Sequence, residues 1–176
     1  IYQTGVKDLY TNYIYPLSPG YAQAQEKAAE KEDYEAALDH KTKAEKLEKQ
    51  LQLLKEHPEA DILFTGSAFI NEEGKGSGYT LHVPKEIRYQ KLLPQNLISC
   101  SSALVRRELL IRHPFGHDEM HEDFLLWLTL LREGHRAFGV DEPLLVYRVS
   151  SSSKSGNKLR AARMTWQVYR RMGLGL

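Results

Sequence analysis

The chain has 176 residues, a formal net charge of +1 at pH 7, a hydrophobic fraction of 41% and an aromatic fraction of 10%. This apolar content is enough for a hydrophobic core, so wholesale disorder is excluded, and the near-neutral charge argues against a nucleic-acid partner. No apolar run approaches a membrane span, no signal-peptide pattern is present, and the single cysteine, Cys100, agrees with a reducing compartment. We therefore expect a cytoplasmic protein; a first residue other than Met indicates a processed, trimmed or incomplete chain.

Residues 1–58 differ in composition from the rest, and we predict an aromatic, turn-rich start followed by a charged helical segment. The start contains the run YTNYIYPLSPGY, in which a short strand is expected at residues 13–15. Residues 23–56 are rich in Ala, Glu, Lys, Leu and Gln and contain neither Gly nor Pro, which predicts helix. The helix should end before Pro58, because a residue that precedes proline avoids helical geometry.

Strands alternate with helices in the remaining region, residues 59–176. The order predicts an α/β fold, in which a mixed sheet is flanked by helices and preceded by the helical segment. Strands are predicted at residues 61–66, 99–105, 137–140 and 144–147, and helices at residues 87–93, 107–112, 122–132 and 158–171.

Two adjacent carboxylates, Glu122 and Asp123, stand at the start of the strongly apolar helix predicted in MHEDFLLWLTLL. Acidic residues suit a helix N-terminus, because its unpaired N–H groups and the helix dipole favour negative charge. The pair can therefore be simple helix caps. A carboxylate held in this way is also pre-oriented as a general base, which needs fixed geometry and a suitable pKa.

Five segments follow one another in a recognisable order from residue 46 to the end of the chain. They are KLEKQL at 46–51, ADILFTGSAFINEEGK at 60–75, LISCSSALVRRELL at 97–110, HEDFLLWLTLLREG at 121–134 and EPLLVYR at 142–148. Together they resemble the C-terminal, acceptor-side half of an inverting family 2 glycosyltransferase of the GT-A type.

The resemblance implies transfer of a sugar from a nucleotide-sugar donor to a glycan or lipid-linked glycan acceptor, in cell-surface polysaccharide synthesis. By position, Asp123 corresponds to the base that removes the proton from the acceptor hydroxyl, and Glu122 supports it. Arg148 and Lys154 are the expected contacts of the donor diphosphate, with the serines of residues 150–153 on a loop that closes over the donor.

The first half that such enzymes possess is not recognisable before residue 46. The resemblance implies a divalent cation, Mg²⁺ or Mn²⁺, held by an Asp-x-Asp motif, and the nearest candidate ligand is Asp39. The residues around Asp39, KEDYEAALDHKTKAEK, predict a charged helix instead. We therefore expect that the chain is a partial or inactive unit, or that a partner or a missing N-terminal half supplies donor binding.

A cluster of histidines offers an alternative function, that of a metal-dependent hydrolase. His113, His117 and His121 recur every four residues, which on a helix would direct them to one side as zinc enzymes require. Pro114 and Gly116 favour a loop here, in which exposed histidines need no metal.

A further alternative is a non-catalytic interaction or scaffold protein, in which the helix of residues 23–56 binds a partner. Leu47, Leu51 and Leu54 form an apolar stripe on this helix, although the heptads are too few for a coiled coil.

The last helix combines basic residues with Met164, Trp166, Val168 and Met172. An amphipathic basic helix with Trp can lie on an anionic membrane, so residues 158–176 are a candidate for peripheral contact with the inner face of the membrane. Packing against the domain with the basic side chains outward is the alternative.

Overall fold

The computed structural model describes residues 13–14, 33–115, 120–149 and 158–175, with side chains described from residue 43 onward. In chain order, the elements are β1 (Tyr13–Ile14), α1 (Asp33–Glu56), β2 (Ile62–Ile70), β3 (Gly76–Leu81), β4 (Glu86–Ile87), α2 (Tyr89–Leu92), a 3-10 turn (Cys100–Ser102), β5 (Leu104–Arg106), α3 (Arg107–Arg112), α4 (Glu122–Arg132), β6 (Ala137–Arg148) and α5 (Lys158–Arg171).

Strand β2 is the centre of a mixed sheet, whose order in the described part of the chain is β1-β5-β2-β6-β4. It pairs in parallel with β6 along its whole length, from Ile62 opposite Ala137 to Ile70 opposite Arg148. Its other edge pairs antiparallel with β5 at one end and with β3 at the other. The predicted α/β class with a mixed sheet and flanking helices is confirmed.

Alternation along β2 supplies a core on each face of the sheet, because successive side chains of a strand point to opposite sides. Ile62 and Phe64 belong to the larger core, together with the buried face of α4. Leu63 belongs to a smaller core, against which four leucines of α1 pack: Leu47, Leu51, Leu53 and Leu54.

Two polar side chains of α1 also reach the 3-10 turn that precedes β5. Lys46 donates from Nζ to the carbonyl of Ser101 at 2.9 Å, and the fully buried Gln50 donates from Nε2 to the carbonyl of Ser102 at 2.9 Å. The predicted apolar stripe of α1 thus packs against the sheet of the same chain. The division of the chain into two regions at residue 58 stays a prediction.

Several predicted elements differ from the structure. Residues 87–93 were expected to be one helix, but Ile87 ends β4 and only Tyr89–Leu92 is helical. The strand expected at 99–105 begins with a 3-10 turn, because the hydroxyl and the N–H of Ser102 both donate to the carbonyl of Ser99.

The third difference concerns the two strands expected around residue 141, which are one strand, β6, with a bulge. Thr65 pairs with Val140 and Ser67 with Leu145, so four residues of β6 stand opposite one residue of β2. Pro143 lies in this bulge, where its missing N–H removes no ladder hydrogen bond.

Candidate active site

A cavity of about 410 Å³ opens beside the N-terminus of α4 and the C-terminal end of β6. In an α/β sheet the carboxyl ends of parallel strands are the usual place for a ligand. Four parts of the chain meet there, and the lining residues are Pro94, Gln95, Asn96, His121, Asp123, Phe124, Tyr147 and Thr165.

Asp123 is held in this cavity by two hydrogen bonds. Its Oδ1 accepts the N–H of Phe124 at 2.8 Å, and its Oδ2 accepts the side-chain amide of Asn96 at 3.2 Å. Asn96 is oriented in turn, because its Oδ1 accepts the N–H of Ile98 at 3.2 Å. None of the hydrogen bonds or ion pairs described for Asp123 is made with an Arg or Lys side chain. Among the described residues, the direction of the carboxylate is thus fixed by a backbone N–H and a side-chain amide, not by an Arg or Lys side chain.

The surroundings of Asp123 also change its acidity. Burial raises the pKa of this carboxyl above its ordinary value of 3.8, although the N–H of Phe124, the charge of His121 and the amide of Asn96 oppose the rise. A carboxylate with a raised pKa is a stronger base than an exposed one. Its pKa then lies closer to the pH at which a general base operates.

The apolar part of α4 explains why Asp123 keeps this position. Phe124 and Trp127 are both buried in the larger core, which fixes the rotation of the helix about its axis. Trp127 also donates from Nε1 to the carbonyl of Ile98 at 3.0 Å, which ties α4 to the segment that carries Asn96. The helix and its hydrogen-bonding partner are therefore positioned as one unit.

The other residues expected at the site are placed differently from Asp123. Glu122 begins α4 but is not among the residues that line the cavity. Arg148 is exposed and donates from Nη1 to the carbonyl of Glu72 at 2.9 Å. Its neighbour Tyr147 lines the cavity, and successive side chains of a strand point to opposite faces. Lys154 and residues 150–153 lie outside the described residues.

Asp39, the expected metal ligand, belongs to α1, so the helix predicted around it is confirmed. The side chain of Asp39 lies outside the described residues. Among the side chains that the structure describes, no group of three or more His, Cys, Asp or Glu residues is arranged to hold a metal ion. The described side chains therefore offer no such ligand set for a divalent cation.

The histidine cluster of the hydrolase alternative is divided by α4. His113 pairs through Nε2 with Glu133 at 3.1 Å, just after the C-terminal end of the helix, whereas His121 precedes the first residue of the helix. A helix of 11 residues is about 16 Å long. These two histidines cannot share one metal ion, and His117 lies outside the described residues.

Sequence reasoning did not single out Asn96, Tyr147 or Thr165 as site residues. Asn96 follows Pro94 in a short loop, Tyr147 is one of 10 tyrosines in the chain, and Thr165 is on the last helix. The only local signal was the tyrosine–arginine pair at the end of β6. What unites these residues is long-range packing, which a single sequence does not display.

Comparison with known proteins finds that the chain is similar to parts of two glycosyltransferases. It is 36% identical over 155 residues to a protein of Bacillus subtilis named as a teichuronic acid biosynthesis glycosyltransferase, TuaG; the match covers 86% of the chain and 61% of TuaG. It is 30% identical over 127 residues to the UDP-Glc:alpha-D-GlcNAc-diphosphoundecaprenol beta-1,3-glucosyltransferase WfgD of Escherichia coli; this match covers 71% of the chain and 48% of WfgD. No family model matches the chain.

The two relatives agree with the resemblance drawn from the five sequence segments. Both are glycosyltransferases by name, and the chain spans about three fifths of the length of one and half of the other. The fold is compatible with that of such enzymes, and Asp123, which the resemblance predicts to be the base, lines the cavity. Over most of its length the chain is thus similar to parts of two glycosyltransferases, which supports its resemblance to family 2.

Proposed function

We propose that this chain is the acceptor-side part of an inverting glycosyltransferase. The enzyme transfers a sugar from a nucleotide-sugar to a hydroxyl of a glycan or lipid-linked glycan, for cell-surface polysaccharide synthesis. The observation that carries the proposal is the carboxylate of Asp123, which is oriented by two hydrogen bonds, lines a cavity and has a raised pKa. The relatives support the same class of reaction by their names.

In this proposal the reaction is a single displacement at the anomeric carbon of the donor. The acceptor hydroxyl gives its proton to the carboxylate of Asp123 while its oxygen forms a bond to the anomeric carbon. The bond between that carbon and the diphosphate oxygen breaks, and its electron pair leaves with the nucleoside diphosphate. Attack from the side opposite the leaving group inverts the anomeric configuration. Asn96 keeps the receiving carboxylate aligned, because it donates to Oδ2.

The departing diphosphate requires positive charge or hydrogen-bond donors. Arg148 and Lys154 stay our predicted contacts, and the guanidinium of Arg148 would have to exchange its bond to the Glu72 carbonyl for the phosphate. Mg²⁺ or Mn²⁺ is part of the proposal for the complete enzyme, with Asp39 as a candidate ligand. The full donor site would need residues beyond the described ones.

The stereochemistry of the product tests this proposal. The full-length protein would be incubated with UDP-glucose and other UDP-sugars and with a diphosphate-linked acceptor sugar, since WfgD by its name uses substrates of these classes. We expect α-configured donors to give β-linked products, recognised from the anomeric coupling constant in the NMR spectrum. A product that keeps the donor configuration would exclude single displacement with Asp123 as the base.

We further propose that α5 lies against the inner face of the membrane. Between Lys158 and Arg171 the helix carries basic residues and no acidic one, and Leu159 is 84% exposed. Trp166 is also exposed, with the guanidinium of Arg170 4.8 Å from its ring centre. No helix in the described part of the chain is long and apolar enough to cross a membrane. A basic helix with exposed apolar side chains suits the surface of an anionic bilayer.

Vesicle co-sedimentation tests this contact. The double variant Leu159→Ala/Trp166→Ala should bind phosphatidylglycerol vesicles roughly tenfold more weakly or worse, because two large apolar side chains no longer enter the bilayer. Ile111→Ala, which removes a side chain that is 67% exposed elsewhere on the surface, is the matched control. Equal binding of the double variant and the wild type would rule out this surface.

A further inference from the structure

Three aromatic rings form a row on one face of the sheet, beginning at the wall of the cavity. Tyr147 lines the cavity, and its backbone partner on the neighbouring strand is Phe69, with 5.7 Å between the ring centres. Tyr79 on β3 continues the row, 5.3 Å from Phe69. We call Phe69, Tyr79 and Tyr147 the aromatic row. It crosses three strands and leads away from Asp123.

The row presents apolar surface to water. Tyr79 is 54% exposed and Tyr147 is 37% exposed, with the half-buried Phe69 between them. The face of the row at Tyr79 is therefore open to a ligand. Contiguous exposed aromatic surface on a soluble domain commonly marks a binding site.

We propose that the aromatic row is an acceptor subsite, which binds the sugar residues beyond the one whose hydroxyl faces Asp123. This inference rests on the proposed function, because it takes the cavity as the place where the acceptor hydroxyl is deprotonated. The row shares Tyr147 with the cavity, so an oligosaccharide that leaves the cavity over Tyr147 continues onto Phe69 and Tyr79. The C–H groups on a face of a pyranose ring stack on aromatic rings, and tyrosine hydroxyls add hydrogen bonds at the edge.

The geometry of the row favours a saccharide over a nucleobase. A planar base is held best by a coplanar face or by a slot between two parallel rings. Here neighbouring rings are inclined at 53° for Phe69 and Tyr147 and at 44° for Phe69 and Tyr79, so the surface is curved. Successive puckered sugar rings can follow such a surface. The three side chains are also uncharged, which suits a neutral oligosaccharide better than a diphosphate.

Binding without turnover tests the subsite. In the Asp123→Asn background, saturation-transfer NMR would measure binding of three neutral trisaccharides, chitotriose, laminaritriose and maltotriose, and of UMP as a nucleotide probe. Tyr79→Ala should weaken trisaccharide binding roughly tenfold, as expected for the loss of one aromatic stacking contact, and should leave UMP binding unchanged. Tyr79→Phe and Tyr79→Trp should retain trisaccharide binding, and Ile111→Ala is the control for an unrelated exposed side chain. Thermal unfolding of each variant verifies that the β2–β3 hairpin is intact.

Kinetics separate this inference from the proposed function. In the otherwise wild-type enzyme, Tyr79→Ala should raise KM for an oligosaccharide acceptor roughly tenfold, with kcat and the donor KM unchanged. If trisaccharide binding depends on Tyr79 but the protein with Asp123 intact transfers no sugar, the subsite is retained and the proposed function is refuted. Unaltered trisaccharide binding and acceptor KM in Tyr79→Ala, or weakened UMP binding in place of trisaccharide binding, would overturn the subsite even if transfer occurs.

Discussion

Asp123→Asn is expected to reduce sugar transfer by at least a hundredfold in the full-length enzyme. An amide cannot accept the proton of the acceptor hydroxyl, and loss of a positioned general base typically costs about 10²- to 10⁴-fold in rate. The acidic limb of the wild-type pH–rate profile should lie above the ordinary carboxyl pKa of 3.8, because burial raises the pKa of Asp123. Initial rates at saturating donor and acceptor, measured across pH, provide both readouts.

The same variant should remain folded. Asn at residue 123 can still accept the N–H of Phe124, and the lost or weakened bond to Asn96 should cost about 1 kcal/mol of unfolding free energy. The pH dependence has a defined sign. Since the folded state raises the pKa of Asp123, the carboxyl contributes its full stability below pH 3.8 and loses it as the pH rises through the raised value. The stability of Asp123→Asn relative to wild type should therefore increase with pH over that window.

Asp141→Asn is the matched control for both measurements. Asp141 accepts the N–H of Val83 at 2.9 Å and lies beside His82, outside the lining of the cavity. The bond from Val83, and then that from His82, lowers the pKa of Asp141, so its stabilising effect is present above pH 3.8 and is lost as the pH falls through the lowered value. Asp141→Asn should keep transfer activity and show the opposite pH trend in stability. Turnover near the wild-type rate in Asp123→Asn would end the assignment of the base.

Gly139→Ala is expected to be strongly destabilising, by about 3 kcal/mol or more. A Cβ at this position would lie 2.5 Å from the carbonyl oxygen of Pro84 and 2.9 Å from the ring of Phe64. Phe64 is fully buried, so its ring cannot move away without a shift of the sheet. The clashing atom of Pro84 belongs to the backbone, so it can move only together with the segment before β4. Overpacking of a core commonly costs about 1–3 kcal/mol, and backbone clashes lie at the upper end. For a chain of this size the melting temperature should fall by roughly 10 °C.

Gly76→Ala controls for the change of residue type itself. It also lies in a strand, but an added Cβ would meet no heavy atom within 4 Å. Its unfolding free energy should stay within about 0.5 kcal/mol of wild type, as for most surface substitutions. Urea unfolding monitored by Trp fluorescence compares the two variants. Similar stabilities for Gly139→Ala and wild type would contradict the close approach of Pro84 and Phe64 to Gly139.

Local pattern was enough to identify the long, periodic elements of this chain. The bounds predicted for α4 and α5 agree with Glu122–Arg132 and Lys158–Arg171, because apolar spacing and helix-end residues act within a few turns. The acid pair before an apolar helix likewise identified Asp123 before any contact was known. Short elements were harder: Ile87 ends a strand where a helix was expected, since pairing with Ala137, far along the chain, determines its conformation.

Composition and periodicity by themselves determined the α/β class, the helix that presents Asp123 and the basic character of α5, because each of these depends on neighbouring residues. Only the tertiary structure decided that Asn96 orients this carboxylate, that Tyr147 and Thr165 share its cavity, and that Arg148 bonds to the Glu72 carbonyl. The raised pKa of Asp123 belongs to the same group, since it arises from burial by segments distant in sequence. The physical reason is that burial and ring-to-ring contact depend on the parallel pairing of β2 with β6, which brings together residues about 80 positions apart.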